Sequence, residues 1–145
     1  ERLLDIKKRS PSKGVILLAD SLDRLSPYIA PLSEANVQLI EQPRARATSW
    51  VVPSRKGLSE LLTGGRDTIA IRITSHPIVQ ELCRSCDNPL ISTSANISGE
   101  PPATKASELA PELVQQLDLV VDAPCLGEEK PSQIIDLETQ RILRE

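Results

Sequence analysis

Lys7, Lys8, Arg9 and Lys13 place four cations within seven residues, closed by Gly14. At a helix end, such a cluster neutralises phosphates through charge-assisted hydrogen bonds; arginine supplies a planar fork and lysine a point charge. Along an unbroken helix Lys7 and Arg9 point nearly opposite ways, so they converge only where the chain unwinds, which Pro11 favours. A solvated basic helix end complementing the helix dipole is the competing reading. Further on, Ser92, Ser94 and Asn96 fall at every second residue. In extended backbone their hydroxyls and amide share one face, a row able to hold phosphate, ribose or carboxylate without adding charge. Ordinary turn chemistry before Gly99 is the simpler alternative. Arg72 sits on the polar side of Thr68–Thr74, between isoleucines, and a strand that still carries a guanidinium there needs an anionic partner for it. That anion is either an internal carboxylate or a bound ligand.

Other chemistries leave little trace. There is no G-x-x-x-x-G-K-[ST] loop and no G-x-G-x-x-G turn, so a nucleotide must be held by side chains. His76, the one histidine, precedes Pro77 and reads as a turn or N-cap residue. Cys83 and Cys86 have C-x-x-C spacing, but a four-ligand zinc site needs two more donors and only Cys125 and His76 are on offer. Two small side chains near a helix end is the simpler reading, and three cysteines make no disulfide framework.

The 145 residues are 39% apolar and 26% charged, which suits one globular domain with a sizeable core. No apolar run approaches the ~18 residues of a membrane span, and no export signal is visible, so a cytoplasmic location is expected. A net charge of −3 argues against a chain whose main work is wrapping polyanions, while allowing a local basic site. Trp50 and Tyr28 are the two aromatics, so the core must be aliphatic. The chain has no methionine and opens on Glu1 in what reads as mid-helix, so a preceding segment is expected.

The elements that must position these residues follow from apolar spacing. Leu3, Leu4 and Ile6 mark a helix stopped by Ser10-Pro11, and Val15 to Ala19 a buried strand. Ser21 N-caps a helix to Ile29 interrupted by Pro27, and a second runs from Ser33 to Ile40. Ser49 to Val52 is a strand, and Leu58 to Leu62 a short helix closed by Gly64-Gly65. Thr68 to Thr74 is the clearest strand, its odd positions all isoleucine. Pro77 opens a helix to Cys86, and Pro89 to Thr93 is a strand. Ser107 to Leu117 reads as a helix that Pro111 must shift or break. Leu119 to Val121, Gln133 to Leu137 and Arg141 to Leu143 complete the strands, the last two as a hairpin. This alternation predicts an α/β domain on a mixed sheet.

Lys7-x-Arg9 with Lys13-Gly14, and Ser94-x-Asn96 downstream, resemble the paired K-x-R and S-x-N signature of the YrdC-like threonylcarbamoyl-AMP synthases. Asp67 to Arg72, Pro89 to Gly99, Pro131 to Asp136 and Ile142 to Arg144 are similar to other stretches of that family, and the likeness runs over essentially the whole chain. It implies a single YrdC-like domain over 1–145, α/β, with a twisted mixed sheet, flanking helices and a concave ligand groove. It also implies an activity: L-threonine, bicarbonate or CO2, and ATP give threonylcarbamoyl-adenylate and pyrophosphate. A partner transferase complex then modifies adenosine 37 of tRNA.

By the same resemblance, Lys7, Arg9 and Lys13 contact ATP phosphates, with magnesium accompanying ATP. Thr68, Ser94, Asn96 and Pro102 line the nucleotide side and Arg144 closes it. Arg72 pairs with the threonine carboxylate, with Ser92 and Ser132 nearby; no protein metal site is implied. The chain departs from the family twice. It lacks the initial strand and P-T-[ED]-x-x-Y-G-L-G-like loop, so an N-terminally truncated domain is expected. Where the family has P-G-P-x-T, it reads Ala45-Arg46-Ala47-Thr48-Ser49, which predicts a looser turn. Two other readings stand beside the synthase: a non-catalytic RNA- or ribosome-associated domain, and the carbamoyl-transfer domain of hydrogenase maturation proteins. The scattered charge argues against the first, and the absence of zinc-finger-like cysteines against the second.

Overall fold

Isoleucines alternating along Thr68–Ile73 bury Ile69 and Ile71 and leave Thr68, Ala70 and Arg72 on the opposite side. This strand is β3 of a six-stranded sheet. The others are β1 (Ile16–Ala19), β2 (Thr48–Pro53), β4 (Leu90–Ser92), β5 (Gln133–Asp136) and β6 (Ile142–Arg144), in the spatial order β4-β1-β3-β2-β5-β6. The computed structural model describes residues 1–123, 125 and 131–145. β1 pairs with β3, and β2 with β5, in parallel; the other three neighbours are antiparallel. The sheet is therefore mixed and open.

Among the described residues six short helices accompany it: α1 (Arg2–Ile6), α2 (Leu22–Leu25), α3 (Glu34–Glu41), α4 (Glu60–Thr63), α5 (Pro77–Cys86) and α6 (Pro111–Val114). Serine hydroxyls start three of them. Ser21 accepts from the Arg24 amide, Ser33 from Asn36 and Ser59 from Leu61, each cap contributing about 1 kcal/mol. Gly64 ends α4 with a left-handed φ of 67°, and a Cβ there would stand 2.5 Å from the Ser12 carbonyl oxygen. Only glycine fits, and the close approach seats the Pro11–Lys13 turn against α4.

The core lies on one face of the sheet. Leu17, Ala19, Trp50, Val52, Ile69, Ile71 and Ile135 pack there with Leu25, Ile29 and Ile40. Trp50 is its largest side chain, and truncation to alanine costs about 3–5 kcal/mol. The other face carries Arg72 and Ser92, aligned through Leu18 and Ile16 of β1.

Three elements differ from expectation. The helix begun at Ser21 ends at Leu25, two residues before Pro27. Ser107 to Leu117 divides into a 3-10 turn, Ala106–Glu108, and α6, because Pro111 has no N–H to continue a helix but fits a first turn. Leu119 to Val121 forms no strand; it runs unpaired over the surface with Leu119 78% exposed.

Candidate functional site

α1 stops at Ile6 and the backbone unwinds at once. Lys7 keeps right-handed geometry, whereas Lys8 takes a left-handed φ of 49°. The reversal at Lys8 turns the chain away after Lys7, which lies three residues after the buried Leu4, on the same face of α1, and is 3% exposed. Its ammonium donates to the backbone carbonyls of Ser94 and Asn96, and to Asn96 Oδ1 at 3.1 Å. The loop returns the contact, since the Ser98 amide donates to the Lys7 carbonyl at 2.9 Å. Burial lowers the Lys7 pKa, and the nearby Arg9 charge lowers it further.

The extended row expected for Ser92, Ser94 and Asn96 does not form. Ser92 is the last residue of β4, beside Ile16, and the chain then turns. Ser94 Oγ donates to Asn96 Oδ1 at 2.6 Å, and Asn96 Nδ2 donates to the Glu100 carbonyl at 2.6 Å. The Ala103 amide closes the loop on the Ala95 carbonyl, leaving Pro102 exposed beside it. The turn reading thus describes the local geometry, while Lys7 ties that turn to the basic segment.

Arg9 stays half-buried and donates from Nε and Nη2 to the Gly14 carbonyl at 3.3 and 3.1 Å. Arg144, at the end of β6, donates from Nε and Nη2 to the Ser132 carbonyl and from Nη2 to Ser132 Oγ. Ser132 and the fully buried Ser49 share a hydroxyl hydrogen bond of 3.0 Å. Burial lowers the Arg144 pKa, followed by the charges of Arg46 and then Arg9. The charges of two guanidiniums from distant parts of the chain therefore reach Arg144.

Arg72 lines a cleft of about 610 Å³ with Arg44, Arg46, Thr48 and His76. Burial alone lowers its pKa. Among the described residues it has no carboxylate partner: the ion pairs are Arg2–Asp118, Arg24 with Asp20 and Asp87, and Arg84–Asp20. The internal-carboxylate reading therefore falls away, leaving the cation available for a bound anion. Thr68 lies at the other end of β3, beside Pro53. Four residues of strand separate it from Arg72 on the same side, roughly 13 Å at strand rise. Lys13 is exposed on its turn.

His76 takes the N-cap position of α5 without a side-chain cap bond. Cys83 is buried with Sγ 3.8 Å from the Leu18 carbonyl, while Cys86 is exposed. Burial, and then the Asp20 charge, push the Cys83 thiol pKa up, opposing thiolate chemistry. No group of three or more His, Cys, Asp or Glu able to hold a metal occurs among the described residues.

Two residues of the cleft went unread in the sequence. Arg44 stacks over Trp50 at 4.6 Å from the ring centroid. Arg46 ties its turn down by donating to the Pro131 carbonyl at 3.2 Å, while Thr48 Oγ1 donates to the Arg46 carbonyl and the Gln133 amide to Ala47. The turn expected to loosen without its prolines is therefore fastened by hydrogen bonds. The available signal was a cation in A-R-A-T-S, at a position where a turn needs none.

An open mixed sheet flanked by arginines that have no carboxylate partner among the described residues defines an α/β domain suited to anionic ligands. A family model named Sua5/YciO/YrdC, described as telomere recombination, matches residues 1–145. A threonylcarbamoyl-AMP synthase of Vibrio parahaemolyticus is 37% identical over 147 residues, covering 100% of this chain and 80% of that protein. The structure of H234A/Y235A Sua5 from P. abyssi superimposes with a TM-score of 0.86 at 26% identity, covering 94% of this chain and 42% of that one. P. abyssi Sua5 complexed with L-threonine gives 0.82 at 27% identity, with 93% and 40% covered. The chain thus spans about two fifths of the P. abyssi protein. The chain belongs to the Sua5/YciO/YrdC family. Among the described residues, no helix is long and apolar enough to cross a membrane.

Proposed function

We propose that this chain is a threonylcarbamoyl-AMP synthase domain. It forms threonylcarbamoyl-adenylate and pyrophosphate from L-threonine, bicarbonate or CO2, and ATP, acting in the cytoplasm to supply a transferase complex that modifies tRNA. The observation that carries this reading is the run of cations Arg72, Arg46, Arg144 and Arg9, none paired with a carboxylate among the described residues. The names of the relatives support it.

The chemistry asks for charge neutralisation and alignment more than for a protein nucleophile. The threonine amine adds to CO2 and loses a proton, giving a carbamate. A carbamate oxygen then attacks the α-phosphorus, and the bond to the bridging oxygen of pyrophosphate breaks. Arg72 holds the threonine carboxylate, with Ser92 and Ser132 on the same side of the assignment. Arg9, Arg144 and Lys13 offset phosphate charge. Lys7 fixes the loop that presents Ser94 and Asn96, with Thr68 and Pro102 completing the nucleotide side. The described residues here offer cations and backbone carbonyls rather than a carboxylate cluster, so magnesium belongs to this scheme as part of the MgATP substrate.

The test is pyrophosphate release measured with each substrate omitted in turn. Release that requires threonine, bicarbonate and ATP together supports the synthase. Release indifferent to threonine and bicarbonate, from folded protein, overturns it. Salt-sensitive RNA binding without that release would favour a non-catalytic domain instead.

A further inference from the structure

We propose that Arg46 is a substrate-binding residue that holds bicarbonate, and the carbamate formed from it, between Arg72 and Arg144. This rests on the synthase reading above and names the residue for one of its substrates.

Arg46 is half-buried, and its Nε is buried without a hydrogen-bond partner. A guanidinium N–H withdrawn from water is costly until an acceptor reaches it. Arg46 lines the same cleft as Arg72 and donates to the Pro131 carbonyl, one residue before the Ser132 carbonyl that Arg144 holds. It therefore links the two ends of the assigned site.

The charge balance in the cleft points the same way. Arg44, Arg46 and Arg72 line it, against one carboxylate, Glu41, which forms no ion pair with them. An amino acid brings one carboxylate, which Arg72 can hold alone. The surplus of positive charge matches a second small anion. In the product, the carboxylate, the carbamate carbonyl and the α-phosphate follow one another along a single molecule. Arg46 shares the cleft with Arg72 and holds the carbonyl of Pro131, next to the Ser132 carbonyl that Arg144 holds. Bicarbonate at Arg46 takes up one proton from solvent and breaks its C–OH bond, giving CO2 and water. The threonine amine then forms the N–C bond and releases a proton to solvent, and the Arg46 N–H groups offset the charge left on the carbamate oxygens.

A purely mechanical role is the alternative, because Arg46 also ties its turn to Pro131. Three variants separate the two: Arg46→Gln, Arg46→Lys, and a triple change, Ala45→Pro with Arg46→Gly and Ala47→Pro, which stiffens the turn without a cation. Pyrophosphate release gives the Michaelis constants, thermal melting gives stability, and the line width of ¹³C-labelled bicarbonate with threonine present reads binding directly. Arg46→Gln should raise the bicarbonate KM roughly tenfold or more and leave that for ATP within about twofold, with Arg46→Lys intermediate. The triple variant should match Arg46→Gln, and the bicarbonate line should broaden most with the wild type, less with Arg46→Lys and least with the other two.

An unchanged bicarbonate KM in the triple variant would overturn the proposal. So would equal rises in all three constants together with a lowered melting point. If the wild type releases no threonine-dependent pyrophosphate yet broadens the bicarbonate line through Arg46, the synthase reading fails and the anion site stands.

Discussion

Lys7 donates its ammonium to both oxygens of Asn96, the backbone carbonyl and Oδ1, across 89 residues of sequence. K-x-R and S-x-N are consequently one structural unit. The lysine shapes the loop, and the arginine two residues later remains near the open face.

Replacing Lys7 by methionine keeps the apolar stem and removes the donor. The carbonyls of Ser94 and Asn96 then lose their shared partner, which costs about 1–3 kcal/mol. Denaturant unfolding should show that loss, and ATP saturation should weaken as the loop frays. Arginine should not restore the site, since a planar fork cannot reproduce three contacts to one nitrogen. A Lys7→Met protein as stable as wild type would show that these contacts do not hold the loop.

Arg72 makes the opposite prediction for stability. It is half-buried without a carboxylate partner among the described residues, so Arg72→Gln should melt no lower than wild type and could melt higher. Its threonine KM should rise at least about tenfold, the worth of a charge-assisted hydrogen bond to a carboxylate. Threonine titration and melting of the same preparation check both halves. Unchanged threonine affinity would remove Arg72 from the site.

Much of the framework was legible because local chemistry specifies it. Isoleucines at period two gave away β3, and serines before apolar runs marked the starts of α2 and α3. Leu119 to Val121 misled for a physical reason: three apolar residues make a strand only if a partner edge receives them. The reversal of the chain after Lys7 needs a left-handed backbone at Lys8, which is neither glycine nor asparagine and so carried no mark. Arg46 was passed over as a lost proline turn, because its buried, unpartnered Nε is a property of the folded cleft alone.

Arg144 should govern the ATP side. It holds the Ser132 carbonyl and hydroxyl and feels the charges of Arg46 and Arg9. Arg144→Gln should raise the ATP KM about tenfold while the threonine KM changes little. Ser132→Ala offers a contrasting case. It leaves the buried Ser49 hydroxyl without its partner, so its main effect should be a stability loss of about 1–3 kcal/mol. Equal ATP and threonine effects in Arg144→Gln would contradict the division of the site.

Asp20 supplies a pH-dependent prediction away from the groove. It follows β1 and receives Arg24 Nε at 2.7 Å, while Arg24 Nη1 reaches Asp87 at the end of α5 at 2.8 Å. The Arg24 hydrogen bond is the main reason the Asp20 pKa lies below the usual carboxylate range; burial opposes it, and the Arg24 and Arg84 charges assist. Because the folded pKa is depressed, this contribution is fully present above the unfolded pKa of about 4 and is lost as pH falls through the lower folded value. Wild type and Asp20→Asn should therefore differ in melting temperature by a constant amount from pH 5 to 7, converging only under stronger acid. The comparison must be made as a difference, since Asp118 and Asp136 have depressed pKa values too. A gap that persisted unchanged to pH 2 would mean that the Asp20 contact does not depend on its charge.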